Sequence, residues 1–116
     1  MDTTTARKRL EETRDELDRS ITVLQGDRPL AERSSEYPQD PADAGSNLSE
    51  TERVEAVLTV AKQQLAEVLD ALHRIEAGRY GTCADCGKPV PEGRLDAKPE
   101  AARCVACQGK RDRMRR

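Results

Sequence analysis

Cys83-Ala84-Asp85-Cys86 and Cys104-Val105-Ala106-Cys107 decide how this chain of 116 residues is read. Seventeen residues separate the two pairs, and that is the spacing of a four-cysteine zinc site. Two thiolates three positions apart grip one ion from a tight turn. Two such turns close a tetrahedron of sulfurs at roughly 2.3 Å from the metal. Gly87 follows the first pair, at the point where a knuckle needs a positive φ that glycine adopts at little cost. A closed tetrahedron leaves no coordination position for water or substrate, so the expected Zn2+ is single and structural. A redox Cys-x-x-Cys would want a βαβ context, and a disulfide pair would want an export signal. Neither is found, and zinc is the reading retained for Cys83, Cys86, Cys104 and Cys107.

Composition limits what surrounds this module. The chain has no Trp and no Phe, and charged residues make up 36% of it. A globular core of normal size cannot be assembled from such material, whereas long helices meeting along a narrow apolar seam can. No apolar run reaches the ~18 residues of a membrane helix, and no N-terminal apolar segment suggests export. A cytoplasmic protein without membrane contact is expected. Charge is uneven along the chain. Residues 1–82 hold 11 Lys and Arg against 17 Asp and Glu, whereas residues 83–116 hold 9 against 5. An acidic front and a basic end suit different partners.

Residues 3–25 read as a first helix. Leu10, Leu17, Ile21 and Leu24 share one face, with Arg14 at the intervening position; alternating steps of three and four make a coiled-coil seam. Gly26 reads as its stop and Pro29 as confirmation. Residues 47–77 read as a second helix, opened by a capping box of Ser49 and Glu52. Val54, Leu58, Ala61, Leu65, Val68, Leu72 and Ile75 continue the same step pattern. The fold class expected is all-α: an antiparallel helical hairpin, then a small four-cysteine zinc module. The helical part is placed at 1–78 and the module with its basic tail at 79–116. An acidic connecting loop is placed at about 26–46, punctuated by Gly26, Pro29, Pro38, Pro41 and Gly45. The second helix should be the longer, about 45 Å against about 33 Å at the α-helical rise. A monomer is expected, with a homodimeric coiled coil as the competing reading of the seam. His73, the single histidine, is read as a surface residue.

In the module, Pro89, Pro91, Gly93 and Pro99 exclude a long helix before residue 100, and turns or short strands are expected around Val90 and Leu95. A short helix is compatible with the chain after Cys104. Five basic residues fall in the last seven positions. They suit either phosphate or the C-terminal end of a helix. No aromatic side chains lie among them for base stacking. No enzyme is expected, because no nucleophile–base set, phosphate-binding glycine loop or His-Glu metal centre occurs.

Tyr80-Gly81-Thr82-Cys83-Ala84-Asp85-Cys86-Gly87, Arg94-Leu95-Asp96-Ala97-Lys98-Pro99 and Cys104-Val105-Ala106-Cys107-Gln108 together resemble the C4 zinc finger of the DksA/TraR family. The resemblance is specific over about residues 78–109 and extends more weakly over the hairpin. It implies a bacterial regulator of transcription initiation that binds RNA polymerase directly rather than promoter DNA. It implies that the coiled coil enters the secondary channel and that its tip approaches the catalytic magnesium. The family tip pattern Asp-x-x-Asp-x-Ala falls on Asp40, Asp43 and Gly45; both aspartates match and the alanine does not. Some members bind ppGpp, but no motif in this chain carries that property over. A zinc-ribbon protein that binds nucleic acid through the basic tail, or an adaptor that dimerises through the seam, is the alternative function.

Overall fold

A computed structural model describes residues 2–34 and 41–115, with side chains described for residues 2–26 and 49–115. Four helices follow one another: α1 (Thr3–Ser34), α2 (Pro41–Glu76), α3 (Glu92–Ala97) and α4 (Val105–Met114). Among the described residues the extended structure is a single antiparallel bridge between Thr82 and Pro89. The all-α expectation of a hairpin followed by a zinc module is met.

Helix boundaries depart from the sequence reading. Residues 26–34 belong to α1 and residues 41–46 to α2, so much of the connection expected at 26–46 is helical. Gly26 does not adopt the left-handed conformation that would make it a stop. A glycine inside a helix costs only about 1 kcal/mol relative to alanine and does not by itself end one. Pro41 opens α2, at the position where its missing N–H has no helical partner to lose. Ser49 and Glu52 lie inside α2 rather than capping it. With 32 and 36 residues, the two helices run about 48 and 54 Å; the second is still the longer, but the expected mismatch is about halved.

The start of α1 is fixed by Asp2. Its Oδ1 accepts the Thr5 N–H at 2.8 Å and its Oδ2 accepts the Thr5 hydroxyl at 3.0 Å. A carboxylate at that position satisfies an orphan donor and favours the positive end of the helix dipole. These bonds hold the Asp2 carboxyl below its ordinary pKa, the Thr5 backbone contributing most. The end of α2 is closed by Gly78 at φ 73°. Gly78 N–H donates to Ile75 O at 3.2 Å and Arg79 N–H to Arg74 O at 2.8 Å. This pair of bonds is the Schellman closure, which requires a left-handed residue.

Contacts within the chain define two compact units. One unit is Asp15–Leu65; the other joins residues up to Arg14 with those from Ala66 onward. In the first unit Ile21, Leu58 and Ala61 are buried, with Leu17, Leu24 and Leu65 packed against them half-buried. In the second unit Ala6, Leu10, Val68, Ala71 and Ile75 are buried on the helices, and Leu10 and Val68 are almost fully enclosed. The seam residues named from the sequence thus face inward, and Ala6 and Ala71 extend the set. Leu17 and Leu65 are shielded less than Leu58. His73 is exposed, as expected.

Candidate metal centre

The module folds around few apolar groups. Cys83, Val90, Leu95 and Ala101 form its core, with Tyr80, Cys104 and Cys107 packed against it. The first knuckle is a tight turn. Cys83 N–H donates to Lys88 O at 2.8 Å, Gly87 N–H to Cys83 O at 3.1 Å, and Val90 N–H to Gly81 O at 2.7 Å. Gly87 has φ 75°, the conformation read from the sequence at that position. Pro91 precedes α3, whose single buried residue is Leu95. The extended structure expected near Val90 is reduced to the adjacent bridge, and Leu95 is helical. Cys104 precedes α4 and Cys107 lies in its first turn, so the second pair straddles a helix start.

These turns bring all four cysteines together. Their sulfurs lie within 4.8 Å of one another, and Cys86 Sγ is 3.9 Å from Cys104 Sγ. Sulfurs at the vertices of a zinc tetrahedron stand about 3.8 Å apart, from the Zn–S distance of about 2.3 Å. The cluster therefore fits one zinc without rearrangement, and the four thiols are free of disulfides. The Cys86 N–H approaches Cys83 Sγ at 3.5 Å. Backbone N–H groups of Cys86 and then Cys104 draw the Cys83 thiol down to about 6. The Cys104 thiol is lowered too, first by the Cys107 backbone N–H. Cys107 is pushed up to about 12, because its thiol shares hydrogen bonds with Cys104 and then Cys83. Without metal the cluster thus retains protons that a bound dication displaces.

The helical ends of the same unit hold the module through its carbonyl groups. Arg9 of α1 donates to Asp96 O at 3.0 Å, and Arg74 of α2 donates to Ala102 O at 3.2 Å. Arg94 Nε donates to Arg103 O at 2.9 Å and the Tyr80 hydroxyl to Pro99 O at 3.0 Å. Burial raises the Tyr80 pKa, so the hydroxyl remains a donor. Ala84 N–H donates to Ala102 O at 2.8 Å, linking the two knuckle segments directly. Long polar side chains thus do work that a larger apolar core would do elsewhere.

A second side-chain cluster adjoins the sulfurs. Asp85 Oδ2 accepts from Arg103 Nε at 3.0 Å and Arg111 Nε at 3.2 Å, and its Oδ1 accepts from Arg111 Nη2 at 3.4 Å. Arg111 first, then Arg103, hold the Asp85 carboxyl below the usual carboxylate range. Sequence reasoning did not single out these three residues. The signal available was an acid inside the first Cys-x-x-Cys, with an arginine before the second pair and another four positions after it.

The tip residues are a different case. Asp40 lies outside the described residues. Asp43 and Gly45 fall in the first turns of α2, and their side chains lie outside the described ones. Among the described residues no helix is long and apolar enough to cross a membrane.

Residues 78–113 match the prokaryotic dksA/traR C4-type zinc finger. The chain is 34% identical over 87 residues to the RNA polymerase-binding transcription factor DksA of Caulobacter vibrioides (strain NA1000 / CB15N), covering 73% of this chain and 60% of that protein. It is 36% identical over 100 residues to an uncharacterized protein of Aquifex aeolicus (strain VF5), covering 86% and 68% respectively. The fold is similar to the solved structure of transcription factor DksA2 from Pseudomonas aeruginosa, with TM-score 0.79 and 27% identity, over 97% of this chain and 84% of that one. The chain spans about 60% of the length of the Caulobacter relative. With a C4 finger of this type, four clustered sulfurs for one structural zinc and a helical hairpin of matching fold, the chain belongs to the DksA/TraR family.

Proposed function

We propose that this protein is a zinc-stabilised regulator of transcription initiation that binds RNA polymerase through the secondary channel. The observation that carries the reading is the likeness to DksA2 over nearly the whole chain. The name of the Caulobacter relative, an RNA polymerase-binding factor, agrees with it. Cys83, Cys86, Cys104 and Cys107 are assigned as the zinc ligands, supported by the proximity of their sulfurs. The zinc shapes the module and takes no part in catalysis; the protein acts as a monomeric regulator in the cytoplasm rather than as an enzyme. Direct DNA binding is not required.

The working part in this reading is the pair Asp40 and Asp43. Carboxylates near a bound magnesium share its coordination shell or shift its water, because hard cations prefer oxygen ligands. The test is capture of core RNA polymerase together with purified transcription, using the parent and Asp43→Asn. The variant should still bind polymerase and should lose most of its effect on initiation. Regulation at the parental level by the variant would remove the tip from the mechanism. Failure of the parent to bind polymerase, with salt-sensitive binding to DNA alone, would favour the nucleic-acid reading. Adding ppGpp to the same assay shows whether the effector acts on this member.

A further inference from the structure

Asp85 stands between the two cysteines of the first knuckle. Its partners come from the other side of the metal centre: Arg103 immediately precedes Cys104, and Arg111 lies one helical turn beyond Cys107 in α4. Arg111 meets the carboxylate side-on with two nitrogens, an arrangement that fixes orientation as well as charge. Single exposed ion pairs contribute little, but networks with two-point arginine contacts are the exception. This one is partly shielded, with side-chain exposures of 30% for Asp85, 22% for Arg103 and 46% for Arg111.

Position makes the cluster relevant to the metal. A cleft of about 570 Å³ opens beside the sulfurs, lined by Asp85, Cys86, Cys107, Lys110, Arg111 and Met114 among others. Cys83 is buried, whereas Cys86 is exposed. Solvent and chelators therefore reach the centre from the Cys86 and Cys107 side, where Arg111 joins the two knuckles. On that face Asp85, Arg103 and Arg111 tie the two cysteine pairs together through their side chains, alongside the backbone hydrogen bond from Ala84 to Ala102.

We propose that Asp85 is a positioning residue that, clasped by Arg103 and Arg111, holds the two cysteine pairs in ligating geometry and slows release of zinc. The proposal rests on the assignment of the four cysteines as zinc ligands. Groups that orient metal ligands from outside the coordination sphere commonly change metal affinity by about 10–100-fold when removed.

Charge alone predicts the opposite sign. Four thiolates around Zn2+ carry net negative charge, so neutralising Asp85 would ease repulsion and retain the metal longer. A clasp predicts faster loss. The experiment loads the full chain with zinc and follows transfer to the chromogenic chelator 4-(2-pyridylazo)resorcinol, with helical circular dichroism recorded in parallel. Asp85→Asn should release zinc about 10-fold faster while the helical signal is retained. Arg111→Lys, which keeps the charge and loses the two-point contact, should also release faster than the parent. Arg111→Gln should add little in the Asp85→Asn background, because its partner is already gone. Release from Asp85→Asn at or below the parental rate, or an unchanged Arg111→Gln effect without Asp85, overturns the clasp. Should Asp85→Asn fold poorly, Arg111→Lys and Arg111→Gln decide by the same comparison, parental rates in both overturning it. A parent that holds no zinc overturns the ligand assignment and the clasp together.

Discussion

The Asp15–Leu65 unit and the zinc module are stabilised by different means. The first has a seam with Ile21, Leu58 and Ala61 at its centre and half-buried leucines beside them. Its helices bury apolar area at regular intervals, and each position contributes a modest share. The second has Val90, Leu95 and Ala101 around one buried cysteine, which is too little apolar surface to order a segment of this length. Its remaining stability comes from the sulfur cluster and from arginines that satisfy its carbonyls. Damage to a seam is therefore graded, whereas damage to a metal-centred module is close to all-or-none.

The largest effect should follow loss of the metal. Structural zinc in small modules contributes on the order of 10 kcal/mol of apparent binding free energy that is also folding free energy. Cys83→Ser or exhaustive chelation should collapse the dispersed amide resonances of residues 79–115 and leave most of the helical circular dichroism. Intact module resonances without zinc would erase the contrast. Acid should act in the same direction. Cys107, pushed up to about 12, holds its proton until metal displaces it, and acid reprotonates even Cys83 with its value of about 6. Zinc titrations at neutral and mildly acid pH should therefore show weaker loading in acid.

Next comes the seam. Leu58 is 4% exposed, and Leu58→Ala should cost about 2–5 kcal/mol in denaturant unfolding. Leu17→Ala and Leu65→Ala should cost less, since both sites are only half-buried. Zinc stoichiometry should stay at one in all three. A melting temperature that climbs with protein concentration would instead point to a seam shared between chains.

Two glycines sharpen the comparison through opposite signs. Gly78 has φ 73° and open space where a Cβ would stand, so Gly78→Ala meets only backbone strain, about 1–2 kcal/mol destabilising. Gly26 also has open space, without a positive φ. Gly26→Ala should stabilise by up to about 1 kcal/mol, because α1 passes through it. Destabilisation at Gly26 would restore the helix stop first read there. The smallest effect belongs to Val60, 63% exposed on α2: Val60→Lys should stay within about 0.5 kcal/mol in the same unfolding assay.

Several features were legible from residue order alone. The cysteine quartet follows from two short spacings, because each pair closes within one turn and needs no knowledge of distant packing. The seam residues follow from periodicity, because a helix presents every third or fourth side chain to the same neighbour. Gly87 was readable as the turn of the first knuckle, since a local backbone requirement names the residue.

Helix ends at the hairpin turn were not legible in this way. Gly26, Pro29 and Pro41 look alike as punctuation, yet a glycine passes through a helix at small cost and a proline opens one freely. Which of these happens depends on what the flanking turns pack against. The Asp85 cluster lies further beyond sequence reading. Its members are 18 and 26 positions apart, and an ion pair has no periodicity to announce it. Only closure of the two knuckles brings those charges together. Residue order thus determined the four-cysteine cluster and the apolar seam, where the physics is local or periodic. Tertiary structure decided the helix ends and the polar clasp, where a side chain's role depends on neighbours that folding supplies.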